Sequence, residues 1–329
     1  MSIKLSDVAR EAGVSTATVS RVINNLSGYS DATREKVETT IRNLGYSPNV
    51  LARGLAGGKT HTIGVLLPSL SSRYSSQLIH GIETRAHSCG YSVIVCNTDR
   101  NGERTMEYLR ILGEKRVDGV LFASEWLKDE YGEYMLEMQI PVVLIATFSS
   151  RFPFHSVRVD DRKAAYTATQ YLANKGHKRI SFISGSPEDP IAGRPRIEGY
   201  TGALEQHGLS FDPSLMAYGD FHFQSGIDAM EQLWSRNTGL TAVFASSDEM
   251  ALGALTFLHS QNIDIPGEIS VVGYDDTQDA LMAVPALTTL HQPISEMGER
   301  AVELLFSKAK AENIIMPHRV VERKSVRVL

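Results

Sequence analysis

The stretch Leu5 to Asn24, LSDVAREAGVSTATVSRVIN, constrains this chain most, because it spells two short helices joined by a tight turn. Ser6 is placed to cap a first helix in which Val8, Ala9 and Ala12 recur at helical spacing, and Gly13 ends it. Ser15 caps a second helix whose apolar face is Val19, Val22 and Ile23. Thr16, Ala17, Thr18 and Arg21 fall on or near the opposite face. Two helices joined this closely, the second showing small polar residues and an arginine to solvent, have the geometry of a helix-turn-helix. An ordinary helical hairpin is the plain alternative on this stretch alone.

Charge separates the head of the chain from its body. The formal net charge of −5 looks wrong for a nucleic-acid binder until it is divided. Residues 1–58 hold seven Lys or Arg (Lys4, Arg10, Arg21, Arg34, Lys36, Arg42, Arg53) against five acids, a surplus of two, so the rest carries −7. A mildly basic head on an acidic body puts phosphate affinity in the head. At 329 residues the chain is too long for one compact core. Cys89 and Cys96 are too few to staple it, and no signal peptide or long uncharged apolar run stands out, so a reduced, cytoplasmic protein with no membrane association is expected.

Ser30 caps a third helix through Leu44 with Val37, Ile41 and Leu44 inward, and Gly45 stops it. Ser47 and Pro48 restart a short helix before Gly57 and Gly58 break it. Gly58-Lys59-Thr60 is not a phosphate loop, because Arg53 stands where its first glycine belongs and no strand precedes it. From Thr62 the pattern changes. Short apolar runs at 63–67, 93–95, 119–122 and 142–145, then at 180–183, 242–245 and 269–272, alternate with helical stretches at 76–87, 104–115, 162–174, 196–207, 224–236 and 249–261. Runs of this kind are strands covered on both faces, which makes two parallel α/β lobes. The Arg319 to Val328 stretch reads as a last strand.

The motifs DVAREAGVSTATVSRVIN, TREKVETTIRNLGYSPNVLARGL, ISVVGYDDT and PALTTLHQP together resemble the LacI/GalR family of bacterial transcription factors, in order over essentially the whole chain. The resemblance implies a small all-α helix-turn-helix DNA-binding domain over 1–58, with a hinge helix at 48–56, and an α/β two-lobed periplasmic-binding-protein-like body over 60–329. It implies lobe 1 at about 60–159 and 292–319 and lobe 2 at about 160–291 and 320–329, with crossings near Val159, His291 and Val320. The implied contacts to double-stranded palindromic operator DNA are Ser15, Thr16, Ala17, Thr18, Arg21, Asn24, Ser30, Asn49, Ala52 and Leu55, the last as an apolar wedge between central base pairs. A homodimer is expected, since no heptad tail that could make a tetramer follows the last strand.

Open α/β sheets bind ligands at the carboxyl ends of their strands. Tyr74, Ser75, Arg194, Arg196, Phe221, Ser247, Asp248 and Asp275 all stand near such ends. Arginine donates, aspartate accepts from hydroxyls and an aromatic face packs on a sugar ring, so a neutral polyhydroxyl effector is the expected ligand. The candidate effector contacts are Tyr74, Ser75, Arg196, Phe221, Ser247 and Asp275, of which Arg196, Phe221 and Asp275 match family positions that touch the effector. The chain departs from many relatives with Ala146 for aspartate, Ser247 for asparagine and a Ser186 to Pro195 loop one residue longer. A non-sugar ligand or a protein co-repressor is the alternative regulator. A transport receptor would need export, and a glycosidase would need paired carboxylates, whereas Asp160-Asp161 and Asp275-Asp276 are adjacent and point apart. No cofactor, metal or catalytic residue is expected.

Overall fold

The computed structural model describes residues 3–23, 26–46, 59–99, 102–236 and 239–329. It divides between Thr60 and His61 into two units. The first is built from α1 (Leu5–Ala12), α2 (Thr16–Ile23) and α3 (Asp31–Leu44). Val8, Ala9, Ala12, Val19, Val22 and Val37 form its core, with Leu5, Tyr29, Ile41, Leu44 and Tyr46 packed around them. Gly13 and Gly45 end α1 and α3 in the left-handed conformation, both at φ 62°. This is the conformation that a residue without Cβ adopts most cheaply. Ser15 and Ser30 cap α2 and α3 by accepting from the Thr18 and Thr33 N–H groups. Ser6 is not a cap. The helix starts at Leu5, two residues before the start a Ser6 cap would give, so Ser6 lies inside the first turn; the Asp7 carboxylate there accepts from the Lys4 N–H at 2.9 Å, the reciprocal half of a capping box. Asn24, Asn49, Ala52, Leu55 and the expected hinge helix lie outside the described residues.

The second unit opens with β1 (Thr62–Leu67), α4 (Arg73–Ser88), β2 (Ser92–Asn97), α5 (Thr105–Glu114), β3 (Gly119–Ala123), α6 (Asp129–Glu137), β4 (Val142–Ile145) and β5 (His155–Val159). It continues through α7 (Asp161–Asn174), β6 (Ile180–Ser184), α8 (Gly193–Gln206), β7 (Met216–Tyr218), α9 (Phe223–Ser235), β8 (Ala242–Ala245), α10 (Asp248–Ser260) and β9 (Ser270–Asp275). It closes with α11 (Gln278–Met282), β10 (Thr288–His291), α12 (Ile294–Leu305), β11 (Asn313–Met316) and β12 (Arg319–Val321). One sheet has the order β11-β5-β4-β3-β1-β2 and the other β12-β10-β9-β8-β6-β7. Every pairing among the described strands is parallel except β10 with β12. Helices cover both faces of each sheet, which is why β1, β3, β4, β6, β8 and β9 read as unbroken apolar runs.

The chain passes from the first lobe to the second after Val159, returns after His291, where α12 packs on α4 and the first sheet, and crosses again between Met316 and Arg319. The last strand is shorter than Arg319 to Val328. It stops at Val321 because Ser325 then takes over the pairing by side chain, accepting from the Thr288 N–H at 2.8 Å and donating to the Val271 carbonyl.

His177, 1% exposed, ties this terminal segment down. Its Nε2 faces the Arg327 carbonyl at 3.3 Å and must carry the proton, which leaves Nδ1 to accept from the Thr241 hydroxyl at 3.0 Å. Burial, with the Arg327 charge nearby, holds its pKa below the usual histidine value. The unfolded chain therefore binds the extra proton first, and this contribution to stability is lost as pH falls through the ordinary histidine value of about 6.5. Buried carboxyls such as Asp275, raised by burial, act in the opposite sense, so the test is differential: from pH 7 to pH 5 the wild-type urea midpoint, followed by tryptophan fluorescence, is expected to fall relative to that of His177→Gln.

Candidate functional site

The first unit presents α2 as a contact surface. Val19 and Val22 are buried, whereas Ser15, Thr16, Ala17 and Arg21 are exposed and Thr18 is half-buried. The Ser15 and Thr18 hydroxyls are engaged with each other at 2.9 Å in the cap, which leaves Thr16, Ala17 and Arg21 as the projecting set. Gly28, at φ 110°, lies against Arg21; a Cβ there would come within 2.8 Å of Nη1, so glycine leaves room for the guanidinium. The Ser30 hydroxyl is exposed and serves as the cap of α3.

In the second unit a cavity of about 530 Å³ opens between the two sheets, within the range of small-molecule sites. Its walls follow strand ends: Tyr74 and Ser75 after β1, Ser124 to Trp126 after β3, Asp161 after β5, Phe221 and His222 after β7, Ser247 after β8, Asp275 at the end of β9 and Gln292 after β10. Parallel strands deliver all their carboxyl ends to one edge, so residues more than two hundred positions apart meet there. Tyr74, Ser75, Arg196, Phe221, Ser247 and Asp275 all line this cavity. Arg194 does not; it is exposed, and its Nε donates to the Pro187 carbonyl. Asp248 also turns away, accepting from Thr277 and Thr289 in the interior.

Arg196, 8% exposed, is the centre of the floor. Its Nε and Nη2 reach Asp161 Oδ1 at 2.8 and 2.7 Å, and Nη1 donates to the Ser246 carbonyl. The guanidinium lies 3.8 Å from the Tyr274 ring centre and 5.7 Å from that of Phe221. Tyr274 completes the group by donating to Asp161 at 3.0 Å. Three of the five guanidinium N–H donors are thereby used, and two are left for a ligand. Asp275 accepts from Gln292 Nε2 at 2.6 Å. Burial, and then the nearby Asp248 charge, raise its pKa well above the ordinary carboxyl value. The Ser247 hydroxyl accepts from the Met250 N–H and donates to the Phe221 carbonyl, so it positions Phe221 while bordering the cavity. Phe221 reaches its place because Gly185 has no side chain; a Cβ there would lie 2.2 Å from the ring.

Ser124, Ala146, Phe221 and Asp275, all cavity residues, have positive φ of 55°, 54°, 69° and 124°. Non-glycine residues in this region carry a conformational cost that clusters at functional sites. Asp161 and Gln292 are contributors that the sequence reading missed as ligand-site residues. A carboxylate at the first turn of a helix beginning at a strand end was the available signal for Asp161, whereas Gln292 follows the return crossing and had none. At the rim Arg73 spans the lobes, its Nε 2.7 Å from Asp279 and its N–H 3.0 Å from Glu249. Asp275 and Asp276 do point apart: Asp276 serves Arg323 and His291 instead. Asp160 caps α7, while Asp161 holds Arg196. Among the described residues, no three of His, Cys, Asp and Glu gather as a metal site, and no helix is long and apolar enough to cross a membrane.

Residues 4–49 match the family model described as bacterial regulatory proteins, lacI family, and residues 60–324 match that of periplasmic binding proteins and the sugar binding domain of the LacI family. Catabolite control protein A of Priestia megaterium is 38% identical over 332 residues, covering 99% of this chain and all of that protein. This chain belongs to the LacI family of bacterial regulatory proteins. Two solved structures align along nearly its whole length. A lac repressor dimer bound to operator and the anti-inducer ONPF has a TM-score of 0.89 at 31% identity, covering 99% of this chain and all of that one. A complex of the transcriptional regulator CelR with cellobiose has a TM-score of 0.74 at 32% identity, covering 98% and 99%.

The Arg196–Asp161 pair is a structural element of this LacI-family cleft as well as a candidate contact. Arg196→Ala leaves a carboxylate buried without its cation and is expected to lower the unfolding free energy by about 3–5 kcal/mol. Urea denaturation checks this, and a loss comparable to that of a surface substitution would show that Asp161 is satisfied without Arg196.

Proposed function

We propose that the protein is a homodimeric, cytoplasmic transcriptional repressor whose heads grip a palindromic operator and whose cleft takes a small neutral polyhydroxyl effector, a sugar, without turning it over. In this reading Thr16, Ala17 and Arg21 read base edges, and Ser15, Thr18, Asn24, Ser30, Asn49, Ala52 and Leu55 complete the DNA contacts. Tyr74, Ser75, Arg196, Phe221, Ser247 and Asp275 hold the effector, with Ser247 acting through Phe221. The observation that carries it is the convergence of these six residues, drawn from both lobes, on one cavity. The two uncommitted guanidinium donors beside a buried carboxyl and an aromatic face suit a hydroxylated ring. The lac repressor's operator complex and CelR's cellobiose complex support the same assignment.

A ligand that touches both lobes favours the lobe arrangement in which both sets of contacts are made, and that preference is the energy available for control. A thermal-shift screen against sugars identifies the ligand, since one that binds the native state raises the melting temperature. Operator binding by fluorescence anisotropy, with and without that sugar, then tests the coupling. The wild type is expected to change operator affinity by about 5- to 150-fold. Asp275→Asn is expected to abolish the change while keeping ligand-free operator affinity, because the amide can still accept from Gln292. A normal response in a fully folded Asp275→Asn protein would place the effector elsewhere.

Arginine is the common bidentate reader of guanine. Arg21→Ala is expected to weaken operator binding by about 1–3 kcal/mol with little effect on random DNA. An equal loss on both would make Arg21 a phosphate contact.

A further inference from the structure

The deep end of the cavity is polar and buried, with Arg196, Asp275 and Gln292 all at 8% exposure or less. The mouth differs. Trp126 lines the same cavity yet is 52% exposed, and no ring partner or hydrogen bond of its indole is found among the described residues. It is held by its neighbours. Glu125, the preceding residue, is buried and accepts from the Thr98 hydroxyl at 2.9 Å and the Thr105 hydroxyl at 2.9 and 3.1 Å. Ser124, at φ 55°, turns the chain out of β3, and the Trp126 carbonyl accepts from the Lys128 N–H. With Glu125 pinned inward, the next side chain is turned toward the opening.

The cavity is also lined from the second lobe by the half-buried Pro190 and Ile191, in the loop before α8. This loop is fixed too: Asp189 accepts from the N–H groups of Ile191, Ala192 and Gly193. A large exposed aromatic face and a small apolar wall, each on a braced loop, thus line the same cavity as the buried hydrogen-bonding groups Arg196, Asp275 and Gln292. A single sugar ring satisfied by the inner groups would leave Trp126 uncovered. An exposed indole costs apolar hydration that a second ring removes, at little entropy cost because the loop is already ordered.

We infer that Trp126 and the Pro190-Ile191 wall form a second, outer ring subsite, so that the effector is a disaccharide or a glycoside with a ring-sized aglycone rather than a lone monosaccharide. This rests on the reading of the cleft as a sugar site. The inner subsite holds one sugar through Arg196, Asp275 and Phe221, and the outer one stacks the second ring on the indole.

The test compares matched ligands by isothermal titration on the full-length protein: D-glucose with cellobiose and maltose, D-galactose with lactose, and methyl with phenyl β-D-glucoside. At least one two-ring member is expected to bind about tenfold or more tighter than its one-ring partner. Trp126→Ala is expected to abolish that advantage while leaving the one-ring affinity unchanged. The chain has two tryptophans, so Trp234→Phe makes Trp126 the single reporter, and its emission is expected to shift to the blue with the two-ring ligand alone. If one-ring and two-ring ligands bind equally, or if Trp126→Ala keeps the preference, the outer subsite is wrong and the sugar cleft stands. If no sugar in the panel binds the folded wild type, the sugar reading fails and takes the subsite with it.

Discussion

The buried pair of Arg196 and Asp161 is the interaction on which the cleft depends. It joins the first turns of α7 and α8, and through the Ser246 carbonyl and Tyr274 it ties both helices to the ends of β8 and β9. Two charges taken out of water are tolerable only when each is met by its opposite and by further hydrogen bonds, and here both conditions hold. The same low-polarity surroundings keep the guanidinium in one orientation between Tyr274 and Phe221. Arg196 lines the cavity in this fixed orientation, so its two remaining donors do not need to be ordered by the ligand.

The rest of the site is arranged around that floor by devices that are individually ordinary. Serine and aspartate caps fix helix starts, glycine at 185 admits a ring, and four residues accept unfavourable φ where strands deliver side chains to the cleft. The two lobes share one continuous apolar core, which includes Val157 and Val159 of β5 and Ala164 and Ala165 of α7. Such a connection resists independent drift of the lobes but leaves the crossings as places where the chain bends. The Arg73 contacts to Asp279 and Glu249 lie on the far side of the opening, at the rim, and are solvent-exposed enough to yield to closure or opening at small cost.

The segments whose information is local were legible in the chain itself. Gly13 and Gly45 as helix stops, Ser15 and Ser30 as caps, the apolar stripes of the three head helices and seven continuous strand runs follow from propensity and periodicity within a few residues. So did the split of charge between head and body. Ser6 is not a cap because the helix begins at Leu5 and takes Ser6 into its first turn, where Asp7 accepts from the Lys4 N–H. The short strands at 216–218, 288–291 and 313–316, and the helices at 129–137 and 294–305, were not read, and the strand at 319–321 was read too long. Their assignment depends on which sheet edge or helix they meet, and three or four residues carry too little periodicity to say so.

The sequence alone determined the head helices, the seven continuous strand runs and their order, and the residue types at strand ends that suit a hydroxylated ligand. Tertiary structure decided which of those residues face one another. Arg194 and Arg196 are two residues apart with the same side chain, yet one lies on the surface against Pro187 and the other forms the cleft floor, because only the second falls on the side of α8 that packs on α7. Asp161 became the partner of Arg196, and Gln292 that of Asp275, through packing that brings together positions 35 and 17 residues apart. Trp126 reaches the mouth because Glu125 is held by threonines 27 and 20 residues away. Pairings of this kind are set by long-range packing against a common core, and no local pattern in the chain encodes them.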